Sequence, residues 1–156
     1  MAAVLLIAHA PLATALNAVA LHAFPEIAPS LSAVDVEAGE APEAVEVRAR
    51  ERLEALAACD VAGRGEVLIL ADVFGATPSN IAQRLTALTS VNARCVTGVN
   101  VPMVWRTLNY LQEPLDQLIV RAMAGGSQGV MQVAHARPQN QTYKPSNDQD
   151  QRHHQQ

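Results

Sequence analysis

Apolar and polar positions alternate along this chain between two periodicities. Ala3–Ala8 (AVLLIA) is an unbroken apolar run, the pattern of a strand buried on both faces of a parallel sheet. Pro11 then opens a helical stretch that places Leu12, Leu16, Val19 and Ala23 on one face. Leu31–Val36 is a shorter run with β-branched residues, ending in an acidic turn. Pro42 sits at a first helical position, and Val45, Ala49, Leu53 and Leu56 give the next apolar face. Glu43, Glu46, Arg48, Arg50, Glu51, Arg52 and Glu54 mark its solvated side. A Gly63–Gly65 turn leads into a second buried strand, Glu66–Ala71 (EVLILA). Thr77–Pro78 opens a helix with Ile81, Leu85 and Leu88 inward, and a further strand begins at Arg94–Thr97 and breaks at Gly98. Helices follow from Pro102 to roughly Leu111 and from Pro114 to roughly Ala124, where Gly125–Gly126 reads as a stop. Val130–Val133 reads as a last strand, either added antiparallel at the sheet edge or exchanged with a partner. The βα rhythm predicts an α/β three-layer sandwich around a mainly parallel, flavodoxin-like sheet.

Residues 137–156 break this pattern. Gln, Asn and Pro dominate there and Tyr143 is the only hydrophobic residue, so the segment reads as a disordered tail. Residues 1–136 remain as one domain, with eight arginines against 13 acidic residues, a net charge of −5. Aromatic residues make up 3% of the chain and Lys144 is its only lysine, which removes both the stacking platforms and the basic surface of a nucleic-acid binder. Cys59 and Cys95 have neither metal-knuckle nor CxxC spacing and read as two buried free thiols. Ala2–Ala8 lacks a basic flank and is too short for a signal peptide or membrane span, which points to a cytoplasmic protein.

Candidate chemistry gathers where strands end. His9 terminates the first strand, Asp72 terminates EVLILA, and Asn100 follows the Gly98 break. Ligands of open parallel sheets bind beyond the carboxyl ends of the strands, where strand order reverses. A flavodoxin-like order would set His9 beside Asp72. A carboxylate that accepts one imidazole N–H leaves the other nitrogen with its lone pair outward, as a nucleophile requires. Ala10-Pro11-Leu12 and Gly75-Ala76-Thr77-Pro78 both run into helix N-termini, whose free amides favour a phosphate. Thr77 is placed to act as an N-cap or to donate its hydroxyl to that phosphate. Taken singly, His9 is a polar loop residue, Asp72 and Thr77 are capping residues, and Asn100 and Pro102 shape a turn. Taken jointly, they describe a phosphohistidine site that needs neither metal nor nucleotide loop, since no GxxxxGK[ST] or GxGxxG motif is present.

VLLIAHAPLATAL, ILADVFGATPSNIAQRL and VTGVNVPMVWRTL, in this order over residues 3–134, resemble the enzyme IIA domain of the mannose-type phosphotransferase system (PTS). The resemblance implies that His9 is phosphorylated by the histidine-containing phosphocarrier protein HPr and that Asp72 orients its ring. It implies phosphate contacts from Ala10, Pro11, Gly75, Ala76 and Thr77, partner contacts from Asn100, Val101 and Pro102, and no cofactor. It further implies transfer to a IIB component beside membrane permease subunits, and a homodimer built through an exchanged C-terminal strand. Ala10 and Ala76 stand where the family has glycines, each adding a methyl group that disfavours φ > 0. Three other readings stay open: a regulatory phosphoprotein whose His9 state gates a partner, the phosphoryl-donor subunit of a dihydroxyacetone kinase, and a small-molecule enzyme on a flavodoxin-like fold.

Overall fold

The computed structural model describes residues 1–59 and 63–133; the tail expected from residue 137 lies outside them. Four strands, β1 (Ala3–His9), β2 (Leu31–Val36), β3 (Glu66–Ala71) and β4 (Asn92–Thr97), form one sheet in the order β2-β1-β3-β4. Every pairing is parallel, so the antiparallel edge expected at Val130–Val133 is not formed; those residues leave the last helix exposed and unpaired.

The central strand explains its own sequence. Residues 3–8 of β1 are buried on both faces, because β1 is flanked by β2 and β3 and covered by helices above and below. Val4, Leu6 and Ala8 join Leu68 and Leu70 beneath α1 (Leu12–Ala23), α4 (Val101–Leu108) and α5 (Leu115–Gln128). Leu5 and Ile7 join Val67 and Ile69 beneath α2 (Pro42–Ala58) and α3 (Thr77–Thr86). The period-two alternation of a strand thus feeds two separate apolar layers.

Two helices differ from the sequence reading. In α2 the expected residues Val45, Ala49, Leu53 and Leu56 are buried. In α1 the buried residues are Ala13, Leu16 and Ala20, while Leu12, Val19 and Ala23 are exposed. No charged residue occurs along α1 to mark its solvent side, so spacing alone does not locate the core face. Likewise Gly125 and Gly126 do not end α5 but lie buried inside it, against α4. A Cβ on Gly125 would stand 2.5 Å from Arg106 Cβ and 2.9 Å from the Pro102 carbonyl oxygen. One on Gly126 would meet the mobile end of Met103, at 2.6 Å from Cε. These glycines permit close helix approach. The cysteines are free as expected, but Cys59 is exposed; Cys95 is partly buried, and burial pushes its thiol pKa up to about 11.

Because backbone cannot yield as a methionine side chain can, Gly125→Ala should destabilise the fold by about 1–3 kcal/mol and Gly126→Ala by less. Urea unfolding of the two variants checks the order; equal losses would contradict this account of the α4–α5 contact.

Candidate active site

The connection from β1 through α1 to β2 moves one way along the sheet, and the next crossover, through α2, passes to β3 on the other side of β1. Strand order therefore reverses between β1 and β3, which leaves a crevice at their carboxyl ends. His9 closes β1 and Asp72 follows β3 directly, so both stand at that point.

They are in contact. His9 Nδ1 lies 2.6 Å from Asp72 Oδ2, and the His9 amide donates to the same oxygen at 2.9 Å. The Val73 amide donates to Oδ1 at 2.7 Å. Burial raises the pKa of Asp72, but these donors, the His9 amide foremost, outweigh it and hold the carboxyl below its ordinary value. Asp72 is therefore ionised near neutral pH, and the proton in the short contact belongs to Nδ1. In the neutral ring the lone pair then sits on Nε2. The His9 side chain is 54% exposed and that of Asp72 12%, so the carboxylate is sheltered while the imidazole meets solvent.

The loop after Asp72 leads into α3 through Gly75, whose φ of +86° favours glycine. Ala76, not Thr77, occupies the N-cap position, with φ −87° and ψ 170°, a conformation alanine adopts without strain. The methyl group that replaces a family glycine here thus meets no backbone conflict. Thr77 is the first helical residue and half-buried, and its side chain caps nothing. Capping falls instead to the buried Ser79, whose hydroxyl accepts from the Gly75 amide at 2.9 Å and donates to the Ala76 carbonyl at 3.1 Å. The amides of Thr77 and Ser79 have no acceptor among the described residues.

The N-terminus of α1 differs. Asp35, near the end of β2, accepts from the Thr14 amide at 3.1 Å and from the Thr14 hydroxyl. A carboxylate already occupies this positive helix end and repels a second anion. Of the two anion-binding ends expected from sequence, the one on α3 is open. Strand alternation agrees, since His9 follows Ile7 on the α2 and α3 side of β1, whereas Asp35, in register with Ala8, lies on the α1 side. Ala10 and Pro11 link His9 to α1, and the Ala10 amide bonds the Val36 carbonyl at 3.0 Å.

Asn100 has a structural task. It caps α4 by accepting from the Met103 amide at 2.9 Å, and its side-chain amide reaches the carbonyls of Gly98 and Gly126. Val101 is half-buried and Pro102 exposed in the first turn of α4. Their loop adjoins the site through a bond of 2.6 Å from the Gly98 amide to the Asp72 carbonyl, but no hydrogen bond joins Asn100, Val101 or Pro102 to His9. Sequence reasoning left out Ser79 and Asp35. For Asp35 a signal existed, because it is an acidic residue beside a strand end, as Asp72 is. For Ser79 the signal was a serine four residues after a turn glycine.

A family model described as the PTS system fructose IIA component matches residues 3–123. The chain belongs to this family. No curated protein matches it. Among solved structures, it is similar to the phosphotransferase component EIIA of Streptococcus agalactiae (TM-score 0.71, 19% identity, 85% of this chain and 97% of that one). It is also similar to the mannose/sorbose-specific IIA subunit of Enterococcus faecalis (TM-score 0.69, 21% identity, 86% and 96%). A sigma-54 interaction domain protein of Enterococcus faecalis shares the fold (TM-score 0.66, 11% identity, 82% and 92%). At these identities the structural likenesses establish fold; the family match makes the chain a component of the phosphotransferase system. No described helix is long and apolar enough to cross a membrane.

The Asp72 contact carries a pH signature. A carboxyl held below its unfolded pKa stabilises the fold fully above the ordinary aspartate value, about 3.9, and the gain is lost as pH falls through the lower folded value. Urea midpoints of the wild type should therefore drop more steeply below about pH 4 than those of Asp72→Asn. Parallel acid limbs would contradict the ionised contact.

Proposed function

We propose that this IIA protein is a phosphoryl carrier, loaded on His9 Nε2 by phospho-HPr and unloaded onto a IIB component. The observation that carries the reading is the bond between His9 Nδ1 and Asp72 at the reversal of strand order, with the ring half exposed. The Nε2 lone pair attacks phosphorus in line as the P–N bond of the donor histidine breaks, and that bonding pair returns to the donor ring. His9 gains positive character as the new P–N bond forms, and the Asp72 carboxylate beneath Nδ1 stabilises it. The amides of Thr77 and Ser79, the Thr77 hydroxyl and the Gly75-Ala76 turn supply the end of α3 that receives the phosphoryl oxygens. Transfer between two imidazoles is nearly balanced in energy, so alignment is the protein's main contribution. The acidic domain suits basic rims on its partners.

The regulatory reading keeps the same chemistry and changes the recipient. Its support is the likeness to the sigma-54 interaction domain protein, a fold match that does not separate the two roles. Assembly belongs to the same proposal. β4 is an edge strand, and the exposed Val130–Val133 segment suits pairing with a second copy.

Incubation with enzyme I, HPr and labelled phosphoenolpyruvate should give an acid-labile, base-stable phosphate, absent from His9→Ala. Label that persists in His9→Ala would sink the assignment. Asp72→Asn should slow loading by about 10–100-fold without abolishing it. Sedimentation should give twice the chain mass of 16.6 kDa for the wild type. A monomer would contradict the pairing.

A further inference from the structure

Among the described residues, Ser79 and Thr107 are the two polar side chains with no exposure at all. Thr107 bonds the Met103 carbonyl of its own helix, an ordinary arrangement for a helical threonine. Ser79 instead reaches back out of α3, accepting from the Gly75 amide and donating to the Ala76 carbonyl. The turn that it ties is not held by packing. Residues 73–75 are exposed, Phe74 by 73%, and Gly75 has no side chain to fix its φ of +86°. Hydrogen bonds therefore set the shape of this turn, and they form a chain that ends at the reacting ring. Ser79 holds Gly75 and Ala76, and the Ala76 amide bonds the Val73 carbonyl at 3.4 Å. The Val73 amide in turn bonds Asp72 Oδ1, whose partner oxygen meets His9 Nδ1. On the other side the Gly98 amide pins the Asp72 carbonyl. The Asp72 backbone is thus anchored from the loop after β4, while the aim of its carboxylate depends on the turn. Asn80 also reaches the turn, through the carbonyls of Ala76 and Gly75, but the Gly75 amide has Ser79 as its acceptor.

We infer, on the carrier reading above, that Ser79 is a positioning residue for phosphoryl transfer: its buried hydroxyl locks the 73–76 turn and so holds the Asp72 carboxylate against His9 Nδ1. Without the hydroxyl the Gly75 amide is released, the turn takes other shapes, and the Val73 amide no longer fixes Oδ1. The carboxylate then leaves the ring for part of the time, and the neutral imidazole carries its proton on either nitrogen. A ring protonated on Nε2 alone has no lone pair there and takes up no phosphoryl group.

Ser79→Ala tests this in the full chain. Alanine suits a helix, and α3 keeps the bond from the Asn80 amide to the Ala76 carbonyl. Long-range proton–nitrogen NMR correlation of the unphosphorylated variant should show a neutral His9 ring protonated in part on Nε2, a form absent from the wild type. Loading by saturating phospho-HPr should slow about 3–10-fold, with KM unchanged. In an Asp72→Asn background the same substitution should slow loading no further, because both residues act through one contact. A Ser79→Ala ring that keeps its proton on Nδ1 alone, with only the urea midpoint lowered, would overturn the proposal and leave Ser79 a helix cap. Equal slowing in the two backgrounds would overturn it as well. Failure of the wild type to take up label would contradict the carrier reading, while the NMR result would still decide whether Ser79 sets the state of the ring.

Discussion

The contact on which the proposed chemistry depends is a bond of 2.6 Å between two residues 63 positions apart in sequence. Asp72 fixes which nitrogen of the neutral His9 ring carries the proton, and so which one keeps its lone pair. The same carboxylate accepts the His9 and Val73 amides and thereby closes the ends of β1 and the β3 loop. Orientation of the ring and order of the crevice therefore share one cause. Desolvation of the carboxylate is offset by its donors, and the ring remains accessible to a partner.

Everything else in the fold can be traced to what must be built to bring those residues together. A parallel β1–β3 pair needs crossovers on both sides and helices on both faces, which explains the unbroken apolar runs and the paucity of polar core residues. The crossover order then leaves β1 and β3 at the point of reversal. On one face Asp35 neutralises the start of α1; on the other the start of α3 stays open next to the loop that carries Asp72. The asymmetry leaves one open helix end of two that look alike in sequence.

How much of this was legible depended on whether a local signal had a local cause. The strands Ala3–His9 and Glu66–Ala71 were legible because burial on two faces writes itself as continuous hydrophobicity. The α2 face was legible because its charges mark the opposite side. The core face of α1 was not, because no Asp, Glu, Lys or Arg marks its exterior. Gly125–Gly126 reads locally as a helix stop but answers to the approach of α4, a tertiary cause that no window of α5 contains. Val130–Val133 has strand-forming residues and no strand beside it among the described residues. In the site, His9 and Asp72 were legible from their strand-end positions. The capping role of Ser79 and the occupation of α1 by Asp35 depend on which face each side chain takes, and only the folded chain reveals that.

The central claim is that Asp72 holds Nδ1 and leaves Nε2 to react. Long-range proton–nitrogen NMR correlation of the His9 ring, before and after phosphorylation, tests it most directly. In the neutral ring of the free protein Nδ1 should be protonated and Nε2 unprotonated, and the phosphorylated protein should carry its phosphorus on Nε2. A neutral ring protonated on Nε2 alone, or phosphorus bonded to Nδ1, would contradict the account.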